Sequence, residues 1–393
     1  MTEIIHHAFE VGRMGKPDEF DSIIASYLAA HLLEINRKAR FDLRVSGTER
    51  KGKPHVRLSG EVSDFILQRR NLEGEMAKIA LDTYNLIHNS SLSPRQLGVS
   101  FNFKPQSTNL ASNRSAGDSG NPIAVAYKDS PNNLPWERFL AVDIRDVIDG
   151  IYRNNGKVPS YLAKSSGVKE LKDLRADGKI GVEVGYEGAK IIGVEKITIA
   201  AEHENSLRLS ELRDKLSAIV DSRLGILSTQ YGLNGHLKTD RIIVNGAGAW
   251  HRGGWGVDEG SREAKPYRDG FGSYGVAEDS FSGEDPSKPS GTGTFLARNI
   301  ALLAVNKYGA DFARVALSYA IGDDRVGLNI VTNGTGRLPQ KELEERIRGE
   351  MGLTIGDAVN RFNLRRPSLY RAIAKNADFF HNHRLPWNRI NTN

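Results

Sequence analysis

The sequence predicts an α+β fold in which sheets pack against helices on one face. Alternating apolar residues indicate paired strands, most clearly over residues 180–186 and 194–199. Segments with helical apolar spacing recur in each third of the chain, as over residues 18–34. Strands that return as hairpins, instead of alternating singly with helices, favour sheets covered by helices over a parallel βαβ arrangement.

The bulk properties are those of a globular protein with two or three domains. Of 393 residues, 39% are hydrophobic and 26% charged, which allows several modest cores. The formal charge of +6 is dispersed, without a zinc motif or aromatic RNA-binding signature, so we expect no nucleic-acid partner. The absence of cysteine excludes disulfides and thiol chemistry. Because the N-terminus lacks an apolar signal core and no run approaches the roughly 20 residues of a membrane span, we expect a cytoplasmic protein without membrane contact.

The first third begins with the helix over residues 18–34. Pro17 suits its first turn, which would put Lys16 and Asp18 at the helix N-terminus, where an anionic or metal-bound ligand is favoured. A plain capped helix start explains the same residues. The pattern next predicts a strand over residues 55–62 and a helix over residues 76–86.

The middle third opens with a polar stretch, residues 101–120, that we expect to be irregular. It ends in the glycine-flanked Asp118, either a turn residue or a carboxylate presented to a ligand. The predicted hairpin follows the sequence Asp177-Gly178-Lys179, and an amphipathic helix is expected over residues 206–225.

The last third begins with a short strand, residues 242–244, that leads into a glycine-rich and charged stretch, residues 245–288. Glycine lets backbone N–H groups approach a ligand, and Lys with Asp suits phosphate and a divalent metal, although a long disordered loop has the same composition. The patterns then predict a helix over 293–308, strands over 315–321 and 326–331, a helix marked by Leu343, Ile347 and Met351, and another capped by Thr354 and Asp357.

Several short motifs, taken in order, resemble those of the bacterial and eukaryotic S-adenosylmethionine synthetases over nearly the whole chain. The motifs are Gly15–Glu19 (GKPDE, where the family has GHPDK), Ser59–Val62 (SGEV), Gln106–Ser107 (QS), Ser115–Gly120 (SAGDSG), Asn245–Asp258, Phe281–Lys288 (FSGEDPSK), Ser318–Gly322 (SYAIG) and Leu385–Trp387 (LPW). Each motif alone is weak, and their shared order and spacing carry the resemblance.

The resemblance implies three similar α+β domains about a pseudo-threefold axis, over residues 1–104, 105–233 and 234–393, with sheets interlaced across the boundaries. It implies a homodimer, possibly paired into a tetramer, with active sites at the interface. The implied reaction is attack of the methionine sulfur on C5′ of ATP, with release of the polyphosphate. Positive charge and Mg²⁺ would stabilise that leaving group.

The resemblance also implies the roles of particular residues. Lys16, Lys179 and Lys265 would be catalytic, and Asp18 and Asp269 would bind metal. The ligands would be ATP, or another adenosine compound, and methionine or a sulfonium. The implied substrate-binding residues are Glu61, Gln106, Asp118, Asp177, Trp250, Asp258, Ser280, Glu284 and Lys288.

Departures from the family pattern concentrate around phosphate. Lys16 replaces a catalytic histidine, and Ser290 stands where a metal-binding aspartate is expected. Arg44 falls where the family has a potassium-ligating glutamate, which argues against a K⁺ site. Glutamates replace lysines at Glu19 and Glu284, and Ala264 replaces an arginine. These three changes make the local charge about five units more negative, only partly offset by Lys16, so we expect weakened triphosphate binding.

Three functions therefore stay open from sequence. The first is a divergent S-adenosylmethionine synthetase. The second is an enzyme on the same scaffold with another leaving group or direction, acting on S-adenosylmethionine, a methionine analogue or a less phosphorylated nucleoside. The third is a non-catalytic homologue that binds ligand or pairs with an active subunit.

Overall fold

The computed structural model describes residues 4–106, 116–233, 235–259 and 265–390, without the side chains of Lys265 and Pro266. The strands are β1 (Ile4–Gly12), β2 (Phe41–Arg50), β3 (Lys53–Val62), β4 (Gly98–Pro105), β5 (Ile123–Tyr127), β6 (Leu174–Glu187), β7 (Lys190–His203), β8 (Ile242–Val244), β9 (Phe312–Ala320) and β10 (Asp323–Val331). The helices are α1 (Pro17–Ile35), α2 (Asp64–Leu67), α3 (Leu72–Ile87), α4 (Trp136–Arg153), α5 (Ser160–Ser166), α6 (Leu209–Gln230), α7 (Lys265–Asp269), α8 (Pro289–Asn306), α9 (Gln340–Glu350), α10 (Ile355–Phe362) and α11 (Pro367–Asn376).

These strands form three sheets, as expected for an α+β fold. The four-stranded sheet has the order β1-β6-β7-β8, in which only the β7–β8 pair is parallel. The second sheet, β10-β9-β5, is antiparallel throughout. In the third sheet, β2-β3-β4, the β2–β3 hairpin is antiparallel and β4 runs parallel to β3.

Strands from different thirds of the chain share sheets. The four-stranded sheet joins β1 near the N-terminus to β6 and β7 in the middle and to β8 in the last third. Likewise β5 pairs with β9, nearly two hundred residues further along the chain. The domain boundaries at residues 104/105 and 233/234 stay a prediction. The four-stranded sheet contains strands from both sides of each boundary.

Apolar faces of the helices cover the sheets and form two cores. The larger core combines the four-stranded sheet and the β10-β9-β5 sheet with α4, α6 and α8, and its aromatic centre includes Trp387 stacked on Phe295 at 4.0 Å between ring centroids. The smaller core lies between the β2-β3-β4 sheet and α1 and α3. Helix α1 also packs against α11.

The predicted helix over 18–34 and the predicted hairpin are confirmed as α1 and as β6–β7. Thr354 and Asp357 form the expected capping box of α10. The expectation of irregular chain from residue 101 is wrong up to Pro105, because residues 98–105 pair with β3 as β4. The helix expected over 206–225 runs instead from Leu209 to Gln230. Among the helices described, none has the length and apolarity needed to cross a membrane.

Candidate functional site

The start of α1 places Lys16 and Asp18 together, as the sequence predicts. Pro17 begins the helix, and Lys16 is its N-cap residue. Gly15 brings the preceding turn against β6, because a Cβ there would lie 2.3 Å from Cβ of Ala176. Lys16 Nζ donates to Asp18 Oδ1 at 2.8 Å, inside the first turn.

Oppositely charged side chains from β1, β6 and α7 converge on this turn. Arg268 Nη1 donates to Asp18 Oδ2, and its guanidinium also lies 3.4 Å from Glu10 Oε1 and 3.8 Å from Glu19 Oε1. Lys179 Nζ lies 3.0 Å from Glu10 Oε2. Burial alone would lower the pKa of Arg268, but Glu19, Asp18 and Glu10 together raise it, so the guanidinium stays charged. We refer to these six residues as the α1 cluster: Glu10, Lys16, Asp18, Glu19, Lys179 and Arg268.

Asp177 lies two residues before Lys179 of the α1 cluster, and it borders Trp250 across Gly253. The carboxylate of Asp177 accepts from the backbone N–H of Gly254 at 2.7 Å. A Cβ at Gly253 would lie 2.6 Å from Asp177 Oδ2 and 3.0 Å from Trp250 Cζ2, so only glycine lets these two side chains approach. Burial raises the pKa of Asp177 to about 6, with hydrogen bonds from Gly254 opposing the shift and the nearby Glu202 adding to it.

A cleft of about 470 Å³ opens beside Asp177. Its walls combine aromatic rings with paired charges: Arg175 Nη1 lies 3.3 Å from Glu202 Oε1, and Trp255 Nε1 donates to Asp21 Oδ1 at 3.1 Å. Trp250 Nε1 donates to the carbonyl of Arg252 at 2.7 Å, which orients its ring at the edge of this region. Part of the lining of this cleft belongs to the Asn245–Asp258 motif, namely Arg252, Gly253, Gly254, Trp255 and Gly256, although no role was predicted for these residues individually.

A second predicted set of residues gathers where the loop before α8 meets β2. A cleft of about 560 Å³ is lined by Asp118, Glu284, Lys288, Ser290 and Asp42. Lys288 Nζ lies 3.0 Å from Asp118 Oδ2 and 3.6 Å from Asp42 Oδ2. The backbone N–H of Leu43 donates to the carbonyl of Gly283 at 2.8 Å and holds the loop against the strand.

Glu284 is buried in the wall of this second cleft and accepts a hydrogen bond from Ser290 Oγ. Burial raises its pKa to about 8; the Ser290 bond opposes the shift, and Asp279 and Asp42 add to it. At neutral pH this carboxyl is therefore mostly protonated. Burial opposes the charge of Lys288, but its bond to Asp118 and the nearby carboxylates raise its pKa, so Lys288 supplies positive charge.

The remaining predicted residues lie at the edges of these two groups. Glu61 is exposed on β3 and pairs in register with Asp42. Gln106 follows β4 with a buried side chain, and its N–H donates to the carbonyl of Val62 at 3.1 Å. Asp258 is exposed after the Gly254–Gly256 turn. The side chain of Lys265 and the whole of Ala264 lie outside the described residues, so the roles inferred for these two positions stay predictions.

Asp269 and Ser280, predicted to bind metal and substrate, bond to each other. Asp269 Oδ2 accepts from Ser280 Oγ at 3.2 Å and from the backbone N–H of Phe281 at 3.0 Å. Ser280 and Asp18 line the same narrow gap next to α1. This pair therefore ties the loop before α8 to the end of α7.

Comparison with known proteins adds to this geometry. A family model described as the C-terminal domain of S-adenosylmethionine synthetase matches residues 253–389. The S-adenosylmethionine synthase of Desulforudis audaxviator is 29% identical over 289 residues, 72% of this chain and 67% of that protein. That of Aquifex aeolicus is 29% identical over 281 residues, 71% of this chain and 69% of the relative. That of Helicobacter hepaticus is 30% identical over 266 residues, 67% of this chain and 64% of the relative.

The chain is a divergent member of the S-adenosylmethionine synthetase family.

The resemblance to S-adenosylmethionine synthetases implies a Mg²⁺ site, but the described residues, as they are arranged, do not form one. Both oxygens of Asp18 already accept from cationic side chains, and Asp269 Oδ2 accepts from Ser280 and Phe281. Across residues 4–106, 116–233, 235–259 and 265–390, no group of three or more Asp, Glu or His side chains has the arrangement of a metal site. The assignment of Asp18 and Asp269 to metal stays a prediction that this geometry does not favour.

The charge balance expected for this member of the family needs correction. Arg268 faces Glu19 and neutralises one of the two lysine-to-glutamate reversals. Glu284, the other reversal, has a pKa of about 8 and is mostly uncharged at pH 7. The extra negative charge near the expected phosphate site is therefore smaller than the substitutions alone indicate, and it weakens triphosphate binding less than expected from the sequence.

Sequence reasoning missed Glu10, Asp42, Glu202 and Arg268. Each of them pairs with a predicted site residue, or shifts its pKa, although the two are far apart in sequence. Arg268 and Asp18, for example, are 250 positions apart. The one available signal was that Arg268 directly precedes the predicted Asp269.

Proposed function

We propose that this chain transfers the adenosyl group of ATP to the sulfur of methionine, with release of the polyphosphate. The observation that supports this most directly is that Asp177 lies beside Trp250 across Gly253 and close enough to Lys16 for its charge to act on the carboxylate. An aromatic ring suits the adenine face, a carboxylate suits a ribose hydroxyl, and an ammonium suits phosphate. The proposal also draws on the name shared by the relatives, S-adenosylmethionine synthase.

The chemistry asks for charge and positioning more than for acid–base catalysis. A thioether sulfur carries no proton, so its attack on C5′ needs no general base. As the C5′–O bond breaks, negative charge accumulates on the departing phosphates, and Lys16 and Lys179 would stabilise it. Asp177 would hold the ribose and fix C5′ relative to the incoming sulfur.

The second cleft would hold the amino acid. The ammonium of Lys288 suits a carboxylate, while Asp118 and the exposed Glu61 suit an ammonium. Gln106, buried at the end of β4, would add a polar contact beside Glu61.

The phosphate-side residues gather at α1, whereas the methionine-side residues line the cleft at β2. We propose that a homodimer joins one group to the partner's copy of the other, as the family resemblance implies. Light scattering after size exclusion measures the mass, and a monomer with full activity would refute this arrangement.

The test of the reaction is incubation of the purified full chain with methionine, Mg²⁺ and ATP, with S-adenosylmethionine and released phosphates quantified. Parallel reactions with ADP and AMP test for a shorter leaving group. Lys179→Met should lower turnover by about a hundredfold or more, because it removes charge that acts on the leaving group. Lys190→Met, an exposed lysine at the hairpin turn of β6–β7, is the matched control. No S-adenosylmethionine at high protein concentration contradicts the proposal.

A further inference from the structure

We propose that the guanidinium of Arg268 is the built-in cation of the site formed by Glu10, Asp18 and Glu19, and that it replaces a divalent metal there. This inference concerns the side chains of the α1 cluster and does not depend on the proposed reaction.

The first support is where Arg268 lies. Its side chain is 5% exposed, and those of Asp18 and Glu19 are 4% and 1% exposed. It reaches from the end of α7 to carboxylates on two other elements, Glu10 on β1 and Asp18 and Glu19 on α1. A buried arginine enclosed by carboxylates occupies the volume that a bound cation would fill.

The second support is the bonding of Asp18. Oδ1 accepts from Lys16 Nζ at 2.8 Å and from the N–H of Glu19 at 3.1 Å, and Oδ2 accepts from Arg268 Nη1. Each carboxylate oxygen has about two acceptor positions, so Oδ1 has none left. A metal bound through Oδ2 would have to displace Arg268 and leave its buried guanidinium without the carboxylate of Asp18, which is costly.

The third support is charge balance. The α1 cluster contains three cationic side chains, Lys16, Lys179 and Arg268, and three carboxylates, Glu10, Asp18 and Glu19. For these described side chains the sum is zero without an added ion. A divalent ion would bring two uncompensated positive charges next to the three buried members of the cluster, Asp18, Glu19 and Arg268.

The position of Arg268 is fixed by its neighbours. Its carbonyl accepts from Arg138 Nη2 at 3.4 Å, and the next residue, Asp269, accepts from Ser280 and Phe281. The end of α7 is therefore held from both sides, and the guanidinium is directed at α1.

The experiment is a titration of the ligand-free full chain with Mn²⁺, followed by electron paramagnetic resonance of the free ion. Mn²⁺ stands for Mg²⁺ because it prefers the same oxygen ligands. Wild type and Asp18→Asn should bind Mn²⁺ alike, within about twofold. Arg268→Met should gain a site at least tenfold tighter, because the freed carboxylates need a cation, and Arg268→Met with Asp18→Asn should lose it.

Two results would overturn the inference. One is a Mn²⁺ site in the wild type that Asp18→Asn removes; this result can be obtained without the arginine variants. The other is a folded Arg268→Met protein without any new site. Arg268→Lys, which keeps the charge, is the control for folding and should resemble the wild type. Because no nucleotide is present, these outcomes are independent of whether adenosyl transfer occurs.

Discussion

Replacement of Glu284 by glutamine should stabilise the protein at pH 8 much more than at pH 5. Glu284 is 6% exposed and its carboxyl has a pKa of about 8, against an ordinary 4.5, chiefly because of burial. The folded state keeps the proton that the unfolded state releases. Stability therefore falls as the pH rises from the ordinary pKa towards 8, which is the sign expected for a raised acid pKa.

The size of the effect follows from that pKa difference. Over the roughly three pH units between pH 5 and pH 8, the carboxyl of Glu284 is mostly ionised in the unfolded state and mostly protonated in the folded state. At about 1.4 kcal/mol per unit, the wild type loses on the order of 3 kcal/mol across this range relative to Glu284→Gln. The amide oxygen of glutamine can still accept the bond from Ser290, so the local packing is kept.

The assay is urea unfolding of both proteins at pH 5 and pH 8, followed by tryptophan fluorescence. Glu342→Gln, at an exposed position on α9, is the matched control and should change stability by less than about 0.5 kcal/mol at either pH. A Glu284→Gln effect of the same size at both pH values would refute the reasoning, because it would mean that this carboxyl is ionised in the folded state throughout.

Two further predictions concern single side chains. The affinity for ATP, measured by calorimetry, should fall up to tenfold per pH unit below about pH 6, because Asp177 gains a proton there. Asp177→Asn is the control: any pH dependence of its ATP affinity comes from the ligand's own titration, and the part due to Asp177 should be missing. Thr354→Ala should cost about 1 kcal/mol of unfolding free energy, because it breaks the capping box with Asp357, whereas Thr354→Ser should cost little.

The elements predicted correctly are those whose pattern is local. Helix α1 shows its apolar spacing within nineteen residues, and the capping box of α10 spans four. Helix α4 was not predicted, and its buried surface includes charged residues. Arg138 pairs with Asp378 at 3.0 Å, and Asp149 with Arg13 at 2.7 Å. Such partners are far apart in sequence, so the pattern of α4 does not indicate which of its polar residues are buried.

The candidate site divides in the same way. Lys16 and Asp18 adjoin each other in sequence and in space, whereas Asp177 meets Gly254 across 77 positions of the chain. The pKa of Glu284 could not be predicted, because it depends on burial against α8 and on Asp42, which a separate strand supplies. Residue identities gave the charges of the site, and only the fold determines which of them cancel.

The four-stranded sheet constrains how the chain can be synthesised and divided. Ile4 pairs with Glu187, so β1 has no neighbour until almost half of the chain has left the ribosome, and β8 completes the far edge only at Val244. Contacts of such long range close slowly, and an unpaired apolar strand is exposed to association with other chains in the meantime. A fragment ending at residue 104 would contain most of the smaller core but would keep β1 without β6, so β1 should be its unpaired, association-prone segment.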